Sequence, residues 1–203
     1  MPQVLADRIL PTTKPLLRSA LLIAGGSLLV AAAAQIIVPM WPVPMTLQTL
    51  AVLTVGATLG SRLGLAALGL YALEGAIGLP VFAGGKSGLF DAKLDYILPS
   101  SSMGYVVGFV LAAWLVGYIV ESGETRTPIK TVLATVGGAI SLYLPGLMWL
   151  GIWAHLTQNL DGPASASAAL HWGLYPFVVG DVLKALIAGL ATFTIQSTIG
   201  GAQ

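Results

Sequence analysis

Tyr175-Pro176-Phe177-Val178-Val179-Gly180-Asp181-Val182-Leu183-Lys184 decides how this chain is read. The stretch lies in a long apolar segment that predicts a membrane-crossing helix, and it carries an acid and a base three residues apart. On a helix that spacing places Asp181 and Lys184 on one face. An Asp or Lys near the bilayer centre costs roughly 2.5–3.5 kcal/mol on insertion scales. Such residues persist where they pair, line a polar cavity or bind something, so a membrane bundle built around a buried pair is expected.

Composition agrees. Of 203 residues, 56% are hydrophobic and only 8% charged, with a mean hydropathy of +0.88. A soluble domain carries about 25% charged residues. A spanning helix needs roughly 20 apolar residues, so six spans fit with room only for loops and short termini. The predicted class is an all-α membrane protein, one transmembrane domain over 1–203. The net charge of +1 gives nucleic acid no basic tract to bind. The absence of cysteine excludes disulfides, thiolate metal sites and a Cys nucleophile.

Outward from the opening stretch, spans are expected at about 19–38, 46–60, 63–78, 103–120, 131–154 and 172–195, with an outer loop at 79–102 and a polar Ala/Ser-rich loop at 155–171. The first apolar run continues past Ala31–Ala34 into Ile36-Ile37-Val38, which argues against a cleaved signal peptide. In it, Ala20 and Ala24 form a small-residue pair four apart that permits close backbone approach. Packing within the bundle and docking of another membrane subunit both explain it. Three prolines stiffen Pro39-Met40-Trp41-Pro42-Val43-Pro44. Gly84-Gly85-Lys86-Ser87 resembles a phosphate loop only superficially, because Pro80 stands where that motif needs its first glycine.

Lys and Arg counts orient the chain. With the N-terminus inside, the inner segments hold Arg8, Lys14, Arg18, Arg62, Arg126 and Lys130, and the outer loops only Lys86 and Lys93. This is the positive-inside pattern and places both termini in the cytoplasm. Thr46, Gln48, Glu74 and Tyr105 then fall at the outer ends of their spans, on the side of Asp181 and Lys184. One anion and one cation suit a polar, near-neutral small molecule, while Trp41, Phe82, Tyr105 and Trp172 offer flat apolar walls. A purely structural Asp181–Lys184 ion pair is the plain alternative. His155 and His171 stand in or beside a loop, and no Ser-His, His-Glu-x-x-His or paired-Asp arrangement marks an enzyme. Neither a metal nor a cofactor is expected.

Four segments resemble the BioY family, in order along the chain: Pro42-Val43-Pro44-Met45-Thr46-Leu47-Gln48-Thr49; Gly75-Ala76-Ile77-Gly78-Leu79-Pro80-Val81-Phe82-Ala83-Gly84-Gly85; Gly104-Tyr105-Val106-Val107-Gly108-Phe109; and Pro176 to Lys184. BioY proteins are the biotin-binding S components of energy-coupling factor (ECF) transporters in prokaryotic cell membranes. The resemblance implies a six-helix bundle that takes biotin from the outer face at high affinity. It also implies a transmembrane coupling subunit and two cytoplasmic ATPase subunits as partners. It favours docking for Ala20 and Ala24, and substrate contact for Asp181, Lys184, Gln48, Thr46, Glu74, Tyr105, Phe82 and Trp41. Phe90-Asp91-Ala92-Lys93-Leu94-Asp95, in the expected lid over 82–100, is more charged than the family pattern. An S component for another vitamin and a membrane scaffold with a structural ion pair are the rival readings.

Overall fold

The structure, a computed structural model, describes residues 14–88, 100–122 and 127–200. Arg8, Lys93, Arg126 and the Phe90–Asp95 insert lie outside the described residues. Six helices and one short ribbon follow in the order α1 (Pro15–Ala33), β1 (Ile37–Val38), β2 (Met45–Thr46), α2 (Gln48–Ala76), α3 (Met103–Glu121), α4 (Pro128–Gln158), α5 (Gly162–Gly173) and α6 (Val178–Gly200). Among the described residues, α1, α2, α3, α4 and α6 are long and apolar enough to cross a membrane.

α2 joins the two spans expected at 46–60 and 63–78, but it is not straight. Gly60 breaks the helical path with φ 84° and ψ 179°, a region that favours glycine. A straight helix would hold Gln48 and Tyr71 about 35 Å apart at 1.5 Å per residue. Instead the Gln48 amide donates to the Tyr71 hydroxyl at 2.7 Å. The chain therefore folds back at Gly60 into a helical hairpin, as the break expected between the 46–60 and 63–78 spans predicts.

Other boundaries differ from the expected ones. The first helix runs 15–33 rather than 19–38. Pro15 occupies a first-turn position where its missing N–H costs nothing. After Ala33 the β-branched Ile37-Val38 pair goes extended and pairs antiparallel with Met45-Thr46, so the fold is not strictly all-α. Thr46 is thus in the ribbon and the next helix begins at Gln48. The expected loop at 155–171 holds most of α5. Asp161 caps this helix by accepting from the Ala164 N–H at 2.9 Å, Pro163 lies in its first turn, and its alanines favour the helical state. The expected helix at 172–195 is consequently divided. α5 ends at Gly173, Pro176 interrupts, and α6 starts at Val178, with Asp181 in its first turn rather than two to three turns in. α4 exceeds its expected 131–154 span at both ends, opening with Thr127 capping Lys130 N–H and closing at Asn159 in a left-handed conformation.

α3 is the central contact element. A Cβ on Gly104 or Gly108 would meet the α4 backbone at Pro145 and Leu142 within 2.5 Å, and one on Gly117 would lie 2.3 Å from the Gly60 carbonyl carbon. Small residues let helices in lipid approach to backbone contact where hydrophobic burial offers little drive. At the same end as Gly117, Glu121 accepts from both the backbone N–H and the hydroxyl of Ser61. The ribbon, the start of α3 and the start of α6 gather at the opposite end, where Ser101 donates to the Pro42 carbonyl and the Trp149 indole to the Ser100 carbonyl.

The α3 contact predicts a contrast. Gly117→Ala should destabilise by about 1–3 kcal/mol through overpacking. Gly137→Ala, whose Cβ meets nothing within 4 Å, should be neutral or stabilising by up to about 1 kcal/mol. Thermal unfolding of the detergent-purified variants checks both.

Candidate functional site

At the ribbon end of the bundle the helices enclose a cavity of about 540 Å³. The volume is within the usual range for a small-molecule site. α6 brings Asp181 and Lys184 to its wall on one helical face, and Lys184 Nζ donates to Asp181 Oδ1 at 2.9 Å. The other carboxylate oxygen accepts from the Tyr143 hydroxyl of α4 at 2.6 Å. Asp181 is also in the first turn of α6, where the positive end of the helix dipole favours a carboxylate. The charges are thus neutralised locally, which a chain buried in lipid requires. Unused hydrogens on the Lys184 ammonium and unused lone pairs on Asp181 remain for a third partner.

Also in the lining, Thr46 donates to Gln48 Oε1 at 3.0 Å, and Gln48 passes a hydrogen on to Tyr71. This chain orients a nearly buried amide from the start of α2. Phe82 packs edge-to-face on Tyr71 with ring centroids 5.6 Å apart. Its ring occupies the space that a Cβ on Gly75 would need. Tyr105 lines the wall and donates to the Gly173 carbonyl at 2.8 Å. Met103, Val106, Phe109, Leu142 and Phe177 add apolar surface, as do Val43 and the prolines on either side of it.

Asp181, Lys184, Thr46, Gln48, Phe82 and Tyr105 are therefore brought together. Glu74 and Trp41 are not. Glu74 turns to α1 and accepts from the buried Ser27 hydroxyl. Trp41 is 64% exposed and packs edge-to-face against Trp172 and Trp153, outside the cavity lining. Ala20 and Ala24 lie on the exposed face of α1 with Leu16, Leu21 and Leu28. The sequence reading passed over Tyr143 and Tyr71. The signal available for both was a phenol within an apolar span, which needs a partner for its hydroxyl.

The turn at the cavity mouth is tied down. Gln35, just beyond α1, donates to the Phe82 carbonyl at 3.3 Å and accepts from the Gly85 N–H at 2.9 Å. Phe82 N–H donates to the Lys86 carbonyl, and Gly88 N–H to the Gly75 carbonyl. The Gly84–Gly88 run is thus a short bridged turn at the rim, not a strand-to-helix phosphate loop.

If the pair is a buried unit, its halves are unequal to the whole. Lys184→Met should lower the stability of the ligand-free protein by about 3–5 kcal/mol, because it strands a carboxylate. Asp181→Asn/Lys184→Met should recover at least half of that loss in the same thermal unfolding assay.

The family model for the BioY family matches residues 6–201. The biotin transporter BioY of Rhodobacter capsulatus is 39% identical over 159 residues, 75% of this chain and 78% of its own length. That of Rhizobium etli is 36% identical over 73% of this chain and 75% of its length, and that of Thermotoga maritima 32% identical over 83% and 89%. A solved structure, the S-component for biotin from an ECF-type ABC transporter, superposes with a TM-score of 0.70 at 20% identity, covering 92% of this chain and 95% of that one. At that identity the likeness is one of fold.

Proposed function

The chain belongs to the BioY family, and on that premise we propose that it is the biotin-binding membrane subunit, or S component, of an energy-coupling factor transporter. It is a multi-pass membrane protein that serves transport rather than catalysis. The observation that carries the reading is the Asp181–Lys184 pair, neutral as a unit, opening into an apolar-walled cavity at one end of the bundle.

The chemistry of biotin suits that wall. Its ureido ring offers two N–H donors and one carbonyl, while the pair offers a carboxylate acceptor and an ammonium donor. Tyr143 fixes the carboxylate from behind, so few degrees of freedom are lost when a ligand arrives. Phe82, Tyr105, Phe109 and Phe177 provide the dry surface that a thiophane ring and an aliphatic chain require. Gln48, held by Thr46 and Tyr71, is a further oriented polar group in the lining.

The hairpin at Gly60 divides α2 into two arms, which gives six crossings with α1, α3, α4 and α6. Six crossings place both termini on one side, and the charge pattern makes that side the cytoplasm of a prokaryotic cell. The cavity then opens outward. A transmembrane coupling subunit and two cytoplasmic ATPases supply the energy, with the exposed Ala20 and Ala24 face of α1 as the docking surface for the coupling subunit.

Calorimetric titration of the purified chain with biotin tests the reading. The wild type should bind with a nanomolar-class dissociation constant. Asp181→Asn and Lys184→Ala should each weaken binding by about 10- to 100-fold, the worth of a hydrogen bond to a charged group. A well-folded wild type that ignores biotin refutes the assignment and directs the same titration to other vitamins. Undiminished binding in both variants reduces the pair to a structural role.

A further inference from the structure

We infer that Thr135, buried in α4 about 12 Å from Tyr143 at 1.5 Å per residue, is a positioning residue for the binding site: its hydroxyl sets the register of α6 against α4 and so turns the Asp181–Lys184 pair toward the cavity. The inference rests on the biotin reading above and adds to it a residue outside the cavity lining.

The Asp181–Lys184 bond lies within α6, so it forms whichever way that helix faces. Contacts with a neighbour decide the facing. Much of α6 meets no protein: Val179, Leu183, Ile187 and Leu190 are each more than half exposed. A helix in lipid gains little from burying such side chains, so a few specific contacts fix its rotation and height. Three of them join α6 to α4. Tyr143 donates to Asp181 at 2.6 Å, and Thr135 Oγ1 donates to the Ala185 carbonyl at 2.8 Å. A Cβ on Gly189 would lie 2.7 Å from the Val132 Cα. Along α6 the three positions follow at intervals of four residues and share one face. Along α4 they fall in reverse order, as antiparallel neighbours require. The first contact is part of the site itself. The second is independent of it and lies one turn of α6 away.

Thr135 is fully buried. Its one hydroxyl hydrogen has two good acceptors, the Ala185 carbonyl and, at 2.9 Å, the Val132 carbonyl of its own helix. Only the first holds α6. The second keeps the hydroxyl from being stranded if α6 shifts, so the cross-helix bond contributes modestly, and its loss costs the site a small factor rather than the fold. Thr192 is the internal comparison. It lies about two turns beyond Ala185 on the same helix, is also fully buried, and its hydroxyl has no partner among the described residues. A hydroxyl buried in that way destabilises and ties α6 to nothing. The two threonines are alike in burial and differ in whether the hydroxyl reaches the neighbouring helix.

Biotin titration and thermal unfolding of the detergent-purified variants test this. Thr135→Val keeps the branched shape and removes the hydroxyl. It should weaken biotin binding about threefold, toward the low end of the range for one neutral hydrogen bond. Thr135→Ser, which keeps the hydroxyl, should bind as the wild type does. Thr192→Val should also bind as the wild type does, with an unfolding midpoint unchanged or raised. Because Thr135 acts through the pair, the Thr135→Val loss should disappear in an Asp181→Asn background. A loss of equal size in both backgrounds would make Thr135 a purely structural residue and overturn the inference. Undiminished binding by Thr135→Val would overturn it as well, while leaving biotin as the ligand. A wild type that does not bind biotin would remove the reading on which the inference rests.

Discussion

Backbone contact along α3 is the constraint on which the rest of the structure depends. In lipid a helix gains nothing from hiding apolar side chains that are already in oil, so association rests on close packing and on polar contacts that have nowhere else to go. Gly104 and Gly108 let α4 come to touching distance on one side, and Gly117 does the same for the hairpin turn on another. Near the ribbon end the Tyr105 ring packs directly over Gly146 of α4. Tyr105, Phe109 and Tyr143 line the cavity that opens beside this contact.

Inside that space the polar groups are arranged as closed small circuits. Asp181 has Lys184 on one oxygen and Tyr143 on the other. Gln48 has Thr46 on its carbonyl and Tyr71 beyond its amide. Each circuit keeps its members satisfied when no ligand is present, yet each retains unfilled hydrogen-bonding capacity. A site of this kind avoids the instability of a bare buried charge and still presents directional chemistry. The aromatic walls add area without adding competing partners.

Much of this was legible in the sequence because membrane spans and charge spacing are local signals. The three-residue interval between Asp181 and Lys184 fixed their shared face, and the Gly60-Ser61-Arg62 turn announced the hairpin. The nearness of Thr46 and Gln48 followed from two residues of separation. What escaped depends on rotation about a helix axis or on composition that misleads. Glu74 stood at the expected end of its span but points toward Ser27 on α1, an angle that no single sequence reveals. Tyr143 came from a distant helix, and its partner was 38 residues away. The segment holding α5 looked like a loop because alanine and serine without large apolar residues give no periodic signal. Its start was nonetheless written in Asp161-Gly162-Pro163, a capping acid followed by a first-turn proline.

The hairpin has a consequence for depth. Its first arm, from Gln48 to Leu59, is about 18 Å long at 1.5 Å per residue, against a hydrocarbon thickness of about 30 Å. The arm is short because it stops at the floor of the cavity, under the ribbon and the proline-rich loop. The missing length, about two turns of helix, is the vestibule itself. A small molecule placed there would occupy the room that those turns leave open, so the shortness of the arm is what gives the bundle a cavity of about 540 Å³.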